Sequence, residues 1–191
     1  MAGTSKYTAL LDANVLYPSL LRDILLSLAH AYLYIAKWSK DIRNEWTSAL
    51  INNKPDKKDI ILAVADIMDE AIPDCLVYGY EHLVDSLVLP DKDDRHVLAA
   101  AITGHADAII TLNVKDFPEK ILDSFGIEIQ TPDEFVLNQI MLKDTVALVA
   151  FKAMRERWER PHYTAQTMVD LLEKRGLSQT SAYLRDYVEL T

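Results

Sequence analysis

A chain that runs Thr8-Ala9-Leu10-Leu11 and then turns abruptly polar at Asp12 and Asn14 has few folds open to it. The segment Tyr7 to Leu11 is too short and too uniformly apolar for a surface helix. It suits a strand buried on both faces, as in a parallel sheet. In open α/β sheets a ligand sits beyond the carboxyl ends of the strands, which is where Asp12 falls. A plainer use of Asp12 and Asn14 is to organise a turn and cap the helix that follows. The two uses separate only when other acids are placed.

The rest of the chain alternates in the same way. Leu20, Leu21, Ile24, Leu25, Leu28 and Tyr32 have the spacing of one helix face. Tyr34 to Lys37 reads as a short strand, followed by a helix from near Ser39 with Ile42, Trp46, Ala49 and Leu50 on its buried stripe. Glu45 lies beside that stripe, so it needs a partner, either a neighbouring cationic side chain or a bound cation. A further helix carries Ile60, Ile61, Val64, Ile67, Met68 and Ala71, and Pro73 stops it. Cys75 to Tyr78 reads as a strand and Glu81 to Leu87 as a brief helical turn. The next helix should turn Val97, Leu98, Ala101 and Ile102 inward, with Ala99 and Ala100 on a thin surface and Gly104 at its end. Ala108 to Leu112 is an all-apolar strand, Ile127 to Ile129 a last short one, and Thr131-Pro132-Asp133-Glu134 opens a helix in capping style. Strands alternating with helices predict a three-layer α/β/α sandwich around a parallel sheet. From Phe135 onward only helical patterning remains, broken near Pro161 and Gly176. Residues 1–138 are therefore expected to form the α/β domain and residues 139–191 a helical C-terminal extension. Phe135, Val136, Ile140, Met141, Met168, Leu172, Leu184 and Val188 give that extension apolar faces that must pack somewhere.

Composition narrows the setting. No run approaches ~18 apolar residues, so no membrane span is expected. Met1 to Lys6 is short and polar and does not read as a signal peptide. One cysteine, Cys75, excludes an intramolecular disulfide framework and a cysteine-based zinc cage, and fits a cytoplasmic protein. The net charge of −9 counts at first against a nucleic-acid binder. It is unevenly placed: residues 152–191 carry seven Lys/Arg and six Asp/Glu, against 13 and 23 in residues 1–151. An acidic body with a near-neutral tail means either a solvated acidic surface or carboxylates gathered around divalent cations. Lys152, Arg155, Arg157 and Arg160 form a basic cluster, but Glu156 and Glu159 are interleaved with it, as in a salt-bridged helix.

Three acids share one address. Asp12 and Asp116 follow the carboxyl ends of separate apolar strands, and Asp94 stands in the first turn of a helix that leads into the second of them. All three belong on one edge of a parallel sheet, with Glu45 as a fourth candidate. Acids in a first helical turn also serve as caps, and one of Asp91, Asp93 and Asp94 is expected in that role. Capping does not call for three acids in the four residues Asp91 to Asp94, where like charges repel. A hard divalent cation offsets such repulsion, and an oxygen-only donor set points to Mg²⁺ or Mn²⁺ rather than Zn²⁺. No two of the five histidines have the helical spacing of a zinc pair, and His96, beside the knot, reads as a supporting residue.

These residues carry a resemblance. Leu11-Asp12-Ala13-Asn14-Val15-Leu16 looks like the first motif of PIN-domain nucleases, and Glu45 fits the helix acid of that family. Asp94-Arg95-His96-Val97-Leu98-Ala99-Ala100 resembles its Asp-led helix start, and Thr111-Leu112-Asn113-Val114-Lys115-Asp116-Phe117 is similar to its fourth motif. Each is weak alone; four in order over roughly residues 7–135 are not. Within the family the chain looks most like the VapC-type toxins of toxin–antitoxin pairs. The resemblance implies a metal-dependent endoribonuclease, a homodimer and a neutralising antitoxin protein. Carried onto this chain, it implies that Asp12, Glu45, Asp94 and Asp116 hold Mg²⁺ or Mn²⁺, while Asn14, Thr111 and Asn113 orient them. Asp91 or Asp93 is then an extra ligand or a cap, and Arg22, Arg95 and Lys115 are candidate phosphate contacts on the RNA. The helical extension departs from the common small toxin and leaves the dimer surface, the antitoxin mode and the RNA target open.

Two other classes compete. Phosphoaspartate enzymes also place Asp after a first strand, but dehalogenase-like phosphatases want a second Asp where this chain has Asn14, and a receiver's acid pair before its strand motif is missing. A non-catalytic RNA- or protein-binding module on the same fold would be marked by a missing acid, and none of the four is missing.

Overall fold

The computed structural model describes residues 6–159 and 161–191, so the reading of the N-terminal five residues and of Arg160 lies outside it. Five strands form a single sheet in the order β3-β2-β1-β4-β5, with every neighbouring pair parallel. They are β1 (Thr8–Leu11), β2 (Ile35–Ser39), β3 (Leu76–Val77), β4 (Ala108–Ile110) and β5 (Glu128–Gln130). The central strands β1 and β4 are buried at every residue, which requires cover on both faces and produces the expected three layers. Building starts at β1, moves outward through β2 and β3, then returns to the other side of β1 for β4 and β5. The reversal creates a crevice beyond the ends of β1 and β4, the favoured ligand position in such sheets.

Between the strands run α1 (Ala13–Leu16), α2 (Ser19–His30), α3 (Lys40–Asn53), α4 (Lys58–Ala71), α5 (Glu81–Val84), α6 (Arg95–Thr103) and α7 (Glu119–Leu122). Ser39 caps α3 by accepting a hydrogen bond from Ile42 N at 3.2 Å, at the expected start. Its buried residues are Ile42, Trp46 and Thr47; Ala49, expected inside, is exposed, because the buried face of α3 is narrow. In α4 the buried residues are Ile61, Ala65 and Met68, and Ile60 and Ile67 point outward, contrary to the single stripe read from the sequence. Helix α6 packs on β1, β2 and β4 and on α5. Val97 to Ala101 are therefore all buried, and the thin surface expected at Ala99 and Ala100 is an interior. Gly104 does end this helix, but at φ −77 it needs no special freedom. A Cβ there would stand 2.9 Å from Val77 Cγ2, so glycine serves close packing, and the next residue, His105, takes the left-handed turn at φ 51.

The C-terminal part consists of α8 (Pro132–Leu142), α9 (Asp144–Glu156), α10 (Ala165–Lys174) and α11 (Ser178–Arg185). Thr131 and Glu134 close the predicted capping box. Helix α8 runs through residue 138, packs on α2, α9 and α11, and sends Phe135 edge-on against Tyr34 at 4.7 Å between ring centres. Phe135, Val136, Ile140, Met168, Leu172 and Leu184 join the same buried cluster as the sheet; Met141 does not, being 68 % exposed. Arg157 and Trp158 both reach Asp23 on α2, at 2.9 and 2.7 Å. Among the described residues no helix is long and apolar enough to cross a membrane.

Candidate active site

The crevice beyond β1 and β4 is built around a small polar knot. Asp12, 5 % exposed, receives Ala13 N on Oδ1 at 2.6 Å, and Asn14 Nδ2 and Thr111 Oγ1 on Oδ2 at 2.6 and 2.7 Å. Asn14 Nδ2 also donates to Thr111 Oγ1 at 2.8 Å, and its Oδ1 accepts from Leu112 N at 2.9 Å. Asn113 N donates to Thr111 Oγ1 at 3.0 Å. These bonds tie the end of β1 to the end of β4 and fix the Asp12 carboxylate in one orientation. Each carboxylate oxygen has two lone pairs, so Oδ1 keeps one free. Burial raises the Asp12 pKa most, the Thr111 hydroxyl and the Ala13 amide oppose it, and the Glu45 charge adds to it.

Asp94 occupies the N-cap position of α6 yet caps nothing: its backbone is already helical and its side chain accepts no capping bond. The structure thus gives it no share in the plainer role allowed by the sequence. Asp91 takes a local role instead, accepting from Asp93 N at 2.9 Å. The half-buried Asp94 carboxyl is raised to about 6, first by burial and then by the charges of Asp12, Asp116 and Asp91. Asp116 closes a short helical turn, Val114–Asp116, just beyond β4. Glu45 is exposed on α3 and pairs with His96 Nε2 at 2.7 Å. Burial by itself would lower the His96 pKa, but the Glu45 hydrogen bond and charge, with Asp41 and Asp12 behind them, raise it overall. Asp41 was not singled out by sequence; the signal was there, since it stands one helical turn before Glu45 on the same face.

Of the candidate cations, Arg22 is occupied. It donates to Leu16 O at 2.5 Å and Tyr17 O at 3.4 Å and stacks over the Trp46 ring. Arg95 leads α6 and has a buried Nε without a partner, and Lys115 is exposed on the turn that carries Asp116. Asp93 is exposed as well. Farther away, Arg155 is spent on the carbonyls of Thr191 and Tyr163 and Arg157 on Asp23, so these two cations of the tail cluster are structural.

Among the described residues no three His, Cys, Asp or Glu side chains stand close enough to close around one metal ion. The chemistry of the donors nevertheless fits a hard divalent cation: they are carboxylates, and they raise one another's proton affinity.

Residues 8–115 match the PIN domain family, and residues 132–186 match a second family, the VapC50 C-terminal domain. The chain belongs to the PIN-domain family. The first match covers every residue of the crevice except Asp116, and the second begins at the first residue of α8. The chain is 34% identical over 95 residues to a Mycobacterium tuberculosis (strain ATCC 25618 / H37Rv) protein named "Putative ribonuclease VapC50". That alignment takes in 50% of this chain and 56% of the relative, so the chain spans about half the length of the curated relative it matches. No solved structure matches the chain.

Proposed function

We propose that the chain is a divalent-metal-dependent endoribonuclease and the toxin of a type II toxin–antitoxin pair. The observation that carries the reading is Asp94. It is a half-buried carboxyl with no capping duty, pushed up first by burial and then by Asp12 and Asp116, at the point where the sheet topology reverses. Membership of the PIN family and the name of the mycobacterial relative support the substrate class. In this reading Asp12, Glu45, Asp94 and Asp116 hold Mg²⁺ or Mn²⁺. Bound there, the cation supplies a water ionised near neutral pH and a counter-charge for the scissile phosphate.

The chain's own residues do the rest. Asn14 and Thr111 lock Oδ2 of Asp12, leaving Oδ1, which accepts only from Ala13 N, with one lone pair free. His96 holds Glu45 at the rim, and Asp91 shapes the turn that presents Asp94. Arg95 and Lys115 contact the phosphate, whereas Arg22, committed to the carbonyls after α1, supports the loop. The extension packs on α2 as a fixed part of the enzyme, and a homodimer neutralised by an antitoxin protein completes the proposal. The test is direct: full-length protein should cleave single-stranded RNA in Mg²⁺ or Mn²⁺ and stop in EDTA. Asp94→Asn should lower the rate by on the order of 10²–10³-fold, the scale of losing one pre-organised charge-stabilising group. Cleavage that persists in chelator and in Asp94→Asn would defeat the reading.

A further inference from the structure

Two grooves flank α2, and their charge differs. One, of about 740 Å³, lies between α2, α4 and α9. It exposes Ile67 and Val149, and its cation Arg157 is already bonded to Asp23. The other, of about 610 Å³, runs between α2, α3, α4 and the turn joining α10 to α11. Arg22, Lys54, Lys57 and Arg175 line it, and no Asp or Glu does. In a chain with 29 acidic and 20 basic residues, a wall of four cations without an acid is a local reversal of sign. Arg22 is tied to carbonyls, but Lys54, Lys57 and Arg175 are exposed and form no ion pair among the described residues.

The groove adjoins the crevice at Leu112. Leu112, 55 % exposed, lines it and donates its N–H to Asn14 Oδ1 at 2.9 Å, one bond from Asp12. Trp46 lines it too, next to Glu45 in sequence. Its lining is largely apolar and includes Leu20, the 64 % exposed Ile60 and Leu112, in a groove of ligand size. Flat apolar groups linked by phosphates are what single-stranded nucleic acid offers to such a surface. An acidic polypeptide shares the charge, but nothing places a peptide's end in the crevice. A strand with its scissile phosphate at Asp12 has to leave the crevice somewhere, and this is the adjoining basic wall.

We propose that this groove binds the single-stranded RNA flanking the scissile phosphate. Lys54, Lys57 and Arg175 carry its phosphates, and Leu20, Ile60 and Leu112 receive a base. This rests on the nuclease reading of the crevice. It gives the C-terminal extension a part in substrate binding through Arg175.

The experiment uses the full chain and a fluorescein-labelled, cleavage-resistant 2′-O-methyl oligonucleotide, with affinity measured over a series of salt concentrations. Lys54→Gln/Lys57→Gln/Arg175→Gln should weaken binding at least tenfold. The slope of log affinity against log salt should fall by about 2, at roughly 0.7 per lost single-strand phosphate contact. Arg175→Lys in the otherwise natural chain should bind nearly as wild type. A charge-matched triple, Lys120→Gln/Lys143→Gln/Lys152→Gln, should change affinity far less. An unchanged affinity in the groove triple, or an equal loss in the control triple, overturns the proposal. So does a groove triple that loses only poly-glutamate binding and keeps RNA. Wild-type protein that binds the oligonucleotide and fails to cleave its ribose counterpart in Mg²⁺ or Mn²⁺ defeats the nuclease reading while leaving the groove intact.

Discussion

Asp133 and Asp94 both stand at helix N-termini, and they have opposite surroundings. Asp133, in the first turn of α8 and 8 % exposed, accepts from the backbone N–H groups of Gln179 and Thr180, each at 2.9 Å, and from Ser178 Oγ at 3.4 Å. It caps α11 from another helix, so its charge meets the donors that a helix N-terminus leaves open. Asp94 meets like charges from Asp12, Asp116 and Asp91 and caps no helix. A buried acid with its donors supplied is architecture. One left among its own kind is held there by the rest of the fold, as strained groups at working sites are.

The largest effect should come from removing the architectural side of this comparison altogether. Truncation after Asn138 deletes α9, α10 and α11 and uncovers the face of α2 on which α9 packs. It also strips the partners of Asp133 and of Asp23. We expect an aggregating or largely unfolded product, detected by loss of a cooperative melt. A soluble truncation with the wild-type melting temperature would show that the extension is an independent appendage.

Next comes the single residue. Asp133→Ala leaves the buried N–H of Thr180 and the part-buried N–H of Gln179 unpaired, at about 1–3 kcal/mol for the first and less for the second. A loss of about 2–4 kcal/mol in chemical denaturation is the expected outcome, with the metal response of the crevice retained. A change below ~0.5 kcal/mol, the range of ordinary surface substitutions, would mean that the joint holds without its cap.

The contrast between the two aspartates explains what could be read in advance. The parallel sheet, the acids beyond the ends of β1 and β4 and the acid at the start of α6 were legible because they depend on local pattern: short apolar runs followed by an acid, and an acidic knot opening a helix. The Thr131 capping box was legible for the same reason. What escaped depends on which partner covers a helix. Ala99 and Ala100 look like surface until α6 is placed against the sheet and α5. Ile60 and Ile67 continue an apolar stripe but look out onto grooves. Asp133 reads as a first-turn acid, and no spacing rule announces a cap on a helix some 45 residues later. The Glu45–His96 pair joins residues 51 apart, and the sequence could ask only that Glu45 have a partner.

The smallest effect is the most discriminating, because it turns the difference between the aspartates into a pH profile. The Asp94 carboxyl is raised to about 6 in the folded protein, against about 3.9 for an unfolded Asp. A raised acid pKa means that the folded state holds the proton more tightly. The favourable contribution is therefore complete below about 3.9 and disappears as pH climbs through about 6. At pH 7 the metal-free protein bears the full penalty of the charged carboxylate. Asp94→Asn removes that charge at nearly constant shape, and no cap is lost because Asp94 makes none. Melted in EDTA, the variant should exceed wild type by a few degrees at pH 7, by less at pH 5, and by nothing at pH 4. Asp133→Asn should behave in the opposite sense at pH 7, because its amide N–H groups face the N–H groups of Gln179 and Thr180 and cannot accept from both. If Asp94→Asn shifts the melting temperature equally at every pH, the carboxylates do not converge as charges in the crevice, and the electrostatic distinction between Asp94 and Asp133 fails.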